Sequence, residues 1–466
     1  MTATSVLTLS GAPLTISDED IAGLRSAMRG PVLLQGEAEY ETSRRVWNGN
    51  IDRFPGLVAR CTGVADVQAA VNFARSHNLL VAIRGGAHNA AGNGTTQGGM
   101  QIDLSGMKGI HVDPVARTAR AQGGVLWADF DRETQVHGLA TTGGTVSNTG
   151  VAGLTLGGGI GWLMGEHGLS VDNLLSVDIV TADGRAQRAS ATENPDLFWA
   201  VRGGGGNFGV ITSFEFRVHP VGPQVLGGMV IHLLQDAPEV LRFYRDFSAN
   251  VPDKAAAFAG LLTAPDGPPV VAMILGYNGD LAEGERVLAP ARAFGSPIQD
   301  VVGPMSYCAR QSLLDEPNAI HGIQRYWKSG YSADFNDSLI DTAVDAAGTF
   351  ISPMSAMLFV RVSGKATRVP SGDTAVGLRT AQWDCNVVSQ WLDPSESPKH
   401  IAWARDVWAK IDPLISQSAY INHIASDDSP EKVRASYGPG IDRLTKIKKT
   451  YDPANMFRIN ANIQPG

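Results

Sequence analysis

The first half of the chain reads as short strands and helices in alternation. Val67, Ala70, Val71 and Ala74 fall at helical spacing and predict a helix over 66–77. The apolar run 79–83 behind it reads as a buried strand, and 57–60 and 100–104 read as strands on either side. The segment is therefore β-α-β with a further strand. Ser17, followed by three acidic residues and then Ile21, marks a helix start, because a serine oxygen and first-turn carboxylates satisfy free N–H groups. Strands at 118–122, 177–182 and 210–218, with helices over 126–137 and 195–201, complete this half. After Gly222-Pro223 the texture changes. Longer strand-like runs at 227–233, 256–263, 270–277 and 357–362 alternate with helical stretches at 239–248 and 283–293, and 380–388 and 399–411 complete the set. The sequence 264–269, rich in Pro and Gly, reads as a hairpin turn. Helical pattern returns at 430–449. The fold class is α+β.

A chain of 466 residues is long for one core and predicts two or more domains. With 43% hydrophobic and 18% charged residues it is an ordinary globular composition. A net charge of −8 argues against nucleic acid or an anionic membrane as partner, since both call for basic patches. No apolar run is long enough to span a bilayer, and the first ten residues lack the basic start and apolar core of a signal peptide. Cys61, Cys308 and Cys385 are odd in number and far apart, so they form neither a disulfide framework nor a metal pair. These features predict a cytoplasmic protein, monomeric or homodimeric. The glycines matter more: they cluster at 85–99, 143–168 and 203–209, where backbone must approach something closely.

The first cluster opens with Arg84-Gly-Gly-Ala-His-Asn89 at the end of a strand. Paired glycines let successive N–H groups converge on one anion, and Arg84 adds a positive charge. A phosphate-binding turn with a reactive imidazole, His88, beside it fits a nucleotide cofactor. Gly204-Gly-Gly-Asn-Phe-Gly209 has the formal spacing of a dinucleotide fingerprint, but a helix precedes it and a strand follows. That order is the reverse of what places pyrophosphate on a helix N-terminus, so a Rossmann domain is rejected.

Arg84-Gly-Gly-Ala-His88 resembles the signature of the berberine-bridge-enzyme-like flavoproteins of the vanillyl-alcohol-oxidase superfamily. Further blocks are similar to the same family in order: Thr-Gly-Val-Ala-Gly-Leu-Thr-Leu-Gly-Gly-Gly-Ile-Gly at 149–161, Gly-Leu-Ser-Val-Asp-Asn at 168–173, Thr-Ala-Asp-Gly at 181–184, and 196–212. The resemblance runs through 50–220 and returns at 419–424 and 451–465. It implies a PCMH-type, two-subdomain FAD-binding domain over 1–220 (core about 52–220), an inserted α+β substrate domain of antiparallel sheet flanked by helices over 221–418, and a segment, 419–466, that crosses back to the flavin.

By that resemblance FAD is held by Arg84, Gly85, Gly86, Ala87, His88, Asn89, Val146, Ser147, Gly150, Gly153, Gly158, Gly159, Gly161, Gly209, Val210, Asn460 and Asn462. His88 matches the histidine that family members bond to the 8α-methyl group. Many members add a cysteinyl bond; the matching position here is Val146, which cannot form one, so a single 8α-histidyl bond is expected, as in the 6-hydroxynicotine-oxidase type of member. The family's catalytic tyrosine, at the end of a Tyr-x-Asn-Tyr motif, corresponds to His423 in Tyr420-Ile-Asn-His423. His423 is the first candidate base, since an imidazole titrates near neutral pH, and Tyr420 the second; either could instead be a packing residue. Arg361 is a candidate contact for an acidic or oxygen-rich substrate or a solvated strand residue, and Tyr326-Trp327-Lys328 reads as packing.

The implied function is oxidation of a C–H bond next to O or N in a small metabolite, by hydride transfer to flavin N5, with O2 as acceptor. Amine or N-heterocycle oxidation is the alternative, and a flavin-bearing, ligand-sequestering protein is the rival of another class. No His-Glu-x-x-His, Gly-x-Ser-x-Gly or phosphate-loop motif is present, and no metal site is expected.

Overall fold

Three β-layers carry the chain. The structure is a computed structural model that describes residues 4–264, 267–377, 379–380 and 382–466. In the first layer Leu57–Arg60 and Val81–Arg84 both run parallel to Met100–Asp103 between them, and Val32–Leu33 pairs antiparallel at one edge. Parallel strands are covered on both faces, which is why these read as apolar runs rather than alternations. Helices Asp18–Ala27 and Val64–Ser76 contribute to this core, and Ser17 caps the first by accepting the Asp20 N–H. The second layer is antiparallel, in the order Ala186–Ser190, Leu174–Val180, Val210–Arg217, Thr118–Gln122, Ile110–Asp113.

The third layer is an eight-stranded antiparallel sheet. Its path runs Gln299–Asp300, Gln224–Leu233, Pro269–Tyr277, Ala255–Thr263, Ala356–Val362, Gln382–Trp391, Gln324–Ser332, with Gly303–Ser306 also on Gln224–Leu233. Helices Ala237–Asn250, Leu281–Arg292, Asp337–Ala347 and Ser397–Ile411 pack on one face. The two-residue period of a strand divides its side chains. Met357 and Phe359 enter the helix-side core, and so do Trp383, Cys385 and Val387. Leu358, Val360, Asp384 and Asn386 face the other way, into a cavity.

Two local features differ from the sequence pattern. Gln324–Ser332 is a full strand paired along Gln382–Trp391, although its polar run gives no strand signal. A helix, Val151–Leu156, sits inside the second glycine cluster. The 264–269 turn includes residues 265 and 266, which lie outside the described residues, while the strands on either side pair down to Thr263 and Pro269. No helix among the described residues is long and apolar enough to cross a membrane.

After helices Pro430–Tyr437 and Ile441–Tyr451 the chain ends in an irregular tail stitched down by buried polar groups. Lys448 and Asp452 are fully buried, 2.7 Å apart. Lys448 also donates to the carbonyls of Asn207 and Phe457, and Asp452 accepts the N–H groups of Met456 and Phe457. Asn207 holds the tail further on, donating to Ala461 and accepting from Ile463. Removing one partner of such a pair strands a buried charge, so Lys448→Met is expected to lower unfolding free energy by about 3–5 kcal/mol, read from urea denaturation.

The second and third layers meet where Asp131, on helix Trp127–Gln135, receives a hydrogen bond from Gln311 on helix Tyr307–Gln311. Burial pushes the Asp131 carboxyl up to about 7, with the Gln311 bond and Arg310 opposing. The folded state therefore holds this proton more tightly than the unfolded chain. Its contribution is intact below about pH 4, the unfolded value, and is lost as pH rises to 7. Asp131→Asn is expected to remove that loss: between pH 5 and pH 8 the variant's urea midpoint falls less than that of the unaltered protein.

Candidate active site

A cavity of about 330 Å³ lies where the three layers meet. Its floor is made by the 85–90 turn, the 145–156 segment, the 205–211 loop and the 457–461 tail. Gly86 and Gly150 lie back to back; a Cβ on Gly86 would come within 2.5 Å of the Gly150 backbone. Gly153 and Gly206 open onto the cavity instead. A Cβ on Gly153 meets nothing within 4 Å, and one on Gly206 meets only the Asn460 amide at 4.0 Å. The floor is therefore bare backbone, able to take a broad ligand in close contact. The side-chain oxygen of Asn460 is buried there without a partner, as an acceptor reserved for a ligand would be; that of Asn462 is also buried and unpartnered, but the residue does not line the cavity.

Gly85, Gly86, Ala87, His88, Asn89, Val146, Gly150, Gly153, Gly209 and Asn460 all line the cavity. Others of the sequence-derived set act behind it. Arg84 is turned away: its Nη1 donates to the carbonyls of Ser43 and Arg45, and its Nε lies 3.7 Å from Asp103. The Arg84 side chain, expected beside the cofactor, does not line the cavity, whereas the glycines after it do. Ser147 bonds through N and Oγ to the Asp315 carboxylate. Gly159 donates its N–H to the Tyr420 hydroxyl, and Gly158 lies under the Tyr420 ring. A Cβ on Gly161 would collide with the Gly143 carbonyl, and Val210 is buried in the first-layer core. These five positions do not line the cavity. Arg361 lies over Trp383 at 4.6 Å and does not line the cavity, so a substrate-binding role is not supported.

One wall is a run of four rings. His88 stacks on Trp47 at 4.2 Å, Trp47 meets Trp327 at 6.5 Å, and Trp327 stacks on His423 at 4.8 Å. Burial, then the nearby Arg325 charge, pushes the His88 imidazole down to about 3, so the ring is neutral at working pH. Its Nε2 lies 3.0 Å from the Asn148 carboxamide oxygen.

At the other end of the wall His423 sits on a single 3-10 turn, Ile421–His423. Its Nδ1 is 3.0 Å from Oδ2 of Asp384, itself 1% exposed. The approach is close but not in line with the ring N–H, so it is an electrostatic contact rather than an aligned hydrogen bond. Asn386 donates to the same Asp384 oxygen and accepts from the Trp327 indole N–H, closing a network around the imidazole. The turn is pinned from behind: Tyr326 and Lys328 bond to Asp427, and Lys328 also to Asp428. Strand alternation thus sends Trp327 into the site and its two neighbours to the latch.

Tyr420 is placed differently. Its hydroxyl accepts from the N–H of Gly159 at 2.7 Å, from Ile160 at 3.3 Å and from Asn422 at 2.8 Å, and burial pushes it up to about 12. Burial keeps the proton on this hydroxyl against the three donors, and the bonds fix the 157–160 turn. The residues that sequence reasoning missed are Trp47, Asn148, Asp384 and Asn386. The last two had a usable signal: polar residues two apart in an otherwise apolar strand share one face.

The comparisons match this geometry. An FAD-binding domain family matches residues 55–190, and a berberine and berberine-like family matches 419–464. An FAD-linked oxidoreductase of Dictyostelium discoideum is 31% identical over 94% of this chain and 95% of its own length. The (R)-6-hydroxynicotine oxidase of Paenarthrobacter nicotinovorans is 29% identical over 94% of this chain and 97% of its own. The crystal structure of 6-hydroxy-D-nicotine oxidase from Arthrobacter nicotinovorans superposes with a TM-score of 0.85 at 28% identity, over 94% of this chain and 98% of that one. Bare backbone, orphaned amide oxygens and end-to-end similarity agree: the chain belongs to the berberine-bridge-like, PCMH-type family of FAD-linked oxidoreductases.

Proposed function

We propose that this enzyme oxidises a C–H bond next to oxygen or nitrogen in a compact, uncharged or cationic small molecule, with FAD fastened through His88 and O2 as the electron acceptor. The observation that carries the reading is the Asp384–His423 pair facing the same cavity as the glycine floor. The residues present fit FAD. Gly85, Gly86, Gly150 and Gly153 offer backbone to a flat ring and a diphosphate, Asn460 offers a carboxamide oxygen, and His88 offers a neutral imidazole. Bound there, FAD supplies a two-electron acceptor for the substrate's hydride. Val146, where a thiol would give a second bond, leaves His88 as the single tether.

The chain's own residues handle the proton. Asp384 draws the His423 hydrogen to Nδ1, which leaves the Nε2 lone pair to take the proton from a substrate O–H or N–H. Trp327 and Asn386 hold the ring and the carboxylate in that relation. Tyr420 keeps its proton and serves as a structural post.

Ile160, Leu314, Leu358 and Val360 make the substrate side apolar, and Asp384 is the one residue with a fixed charge among the described lining residues. A buried carboxylate repels an anion and attracts a cation. Carboxylate substrates are therefore disfavoured, and a protonated amine is the second reading that Asp384 supports. A sequestering role finds no use for a carboxylate-backed imidazole.

Anaerobic mixing with panels of alcohols, amines and carboxylates tests the reading. Bleaching of the yellow flavin band by a neutral or cationic member is expected; bleaching by none, or by carboxylates alone, contradicts it. With an active substrate, His423→Ala is expected to slow flavin reduction by about 10²–10⁴-fold and to regain rate with added imidazole. With a neutral substrate, Asp384→Asn is expected to lower kcat with little change in KM, since there it acts through His423.

A further inference from the structure

The His88 ring is placed by groups from outside its own turn, and these trace back to one short stretch, residues 315–325. Asn148 donates its Nδ2 hydrogen to the Ala319 carbonyl at 2.5 Å. A carbonyl can only accept, so the Asn148 oxygen must be the atom facing His88, 3.0 Å from Nε2. An acceptor there requires the hydrogen on Nε2 and leaves the lone pair on Nδ1. The adjacent Ser147 is fixed by two bonds to the Asp315 carboxylate, at 2.8 and 2.6 Å. On the ring face, Trp47 stacks at 4.2 Å and 20°. The Arg325 guanidinium lies 3.8 Å from the Trp47 ring centre and donates to the Trp47 carbonyl at 2.9 Å. Two groups this close to one ring cannot share a face, so the indole is held between Arg325 and His88.

We propose that Asp315, Ala319 and Arg325 are positioning residues for attachment of the flavin, acting through Ser147, Asn148 and Trp47, so that the bond at His88 forms only once the 315–325 stretch has docked onto the nucleotide-binding layers. This rests on the reading of His88 as the tether. Attachment joins Nδ1 to the flavin 8α-carbon. One hydrogen leaves the methyl group and the Nε2 hydrogen leaves the imidazole, two protons and two electrons in all. The electrons pass through the flavin ring to O2, which takes both protons to become hydrogen peroxide. A neutral ring with a defined tautomer is what this step needs, because a protonated imidazole has no lone pair to give. Before docking, Asn148 and Trp47 lack the partners that orient them, and the ring is free to rotate and to exchange tautomers.

The full-length chain, synthesised in a cell-free translation mixture with added FAD, gives a time course in which acid-insoluble flavin fluorescence reports attachment and gel-filtered flavin reports binding. Asn148→Leu, at a position that does not line the cavity, and Asp315→Ala are expected to slow attachment by about 10- to 100-fold while still retaining FAD on the column. Arg325→Lys, which keeps the cation, is expected to attach faster than Arg325→Met. Should Arg325→Met or Asp315→Ala fail to fold, Asn148→Leu and Ser147→Ala decide. Attachment at the unaltered rate in Asn148→Leu or Asp315→Ala overturns the proposal and leaves the tether standing. An unaltered chain that retains FAD on the column but never becomes acid-stable overturns the tether and this proposal with it.

Discussion

The site depends on the two faces of one antiparallel sheet. In Ala356–Val362 and Gln382–Trp391, Met357, Phe359, Trp383, Cys385 and Val387 enter a helix-covered core, while Leu358, Val360, Asp384 and Asn386 enter the cavity. A slip of one residue in either strand would put Asp384 and Asn386 into the apolar core and Phe359 or Cys385 into the site. Large apolar groups such as Trp383, Phe359 and Met357 therefore fix more than stability. By filling the helix side they hold the carboxylate that faces His423 in register, although none of them touches it directly.

That arrangement accepts an energetic penalty at the centre. Asp384, His88 and the amide oxygens of the tail are polar groups held away from water, and several lack a partner within the protein. Behind the tail, by contrast, Lys448, Asp452 and Asn207 are closely satisfied. The surrounding latches, Lys448–Asp452 behind the tail and Lys328–Asp427 behind the His423 turn, keep the unsatisfied groups aimed inward.

Much of this was legible in the sequence because the cofactor side is built from local backbone geometry. Glycine clusters announce close approach, and the Gly85–Asn89 turn, Gly150, Gly153 and Asn460 all line the cavity. The substrate side was less legible because it is assembled across the sheet. Asp384 meets His423 only through tertiary packing, and strand Gln324–Ser332 carries so many polar residues that it gave no strand signal. The direction of the Arg84 side chain was not legible for a related reason: charge can be read from sequence, but its partners Ser43, Arg45 and Asp103 are distant in the chain.

The account stands on FAD lying in this cavity, joined to the chain at His88. Trypsin cleaves after Arg84 and after Lys108, and no Lys or Arg lies between them. Mass spectrometry of the denatured, digested protein should find peptide 85–108 carrying the added mass of FAD. An unmodified 85–108 peptide from a precipitate that is colourless would contradict it.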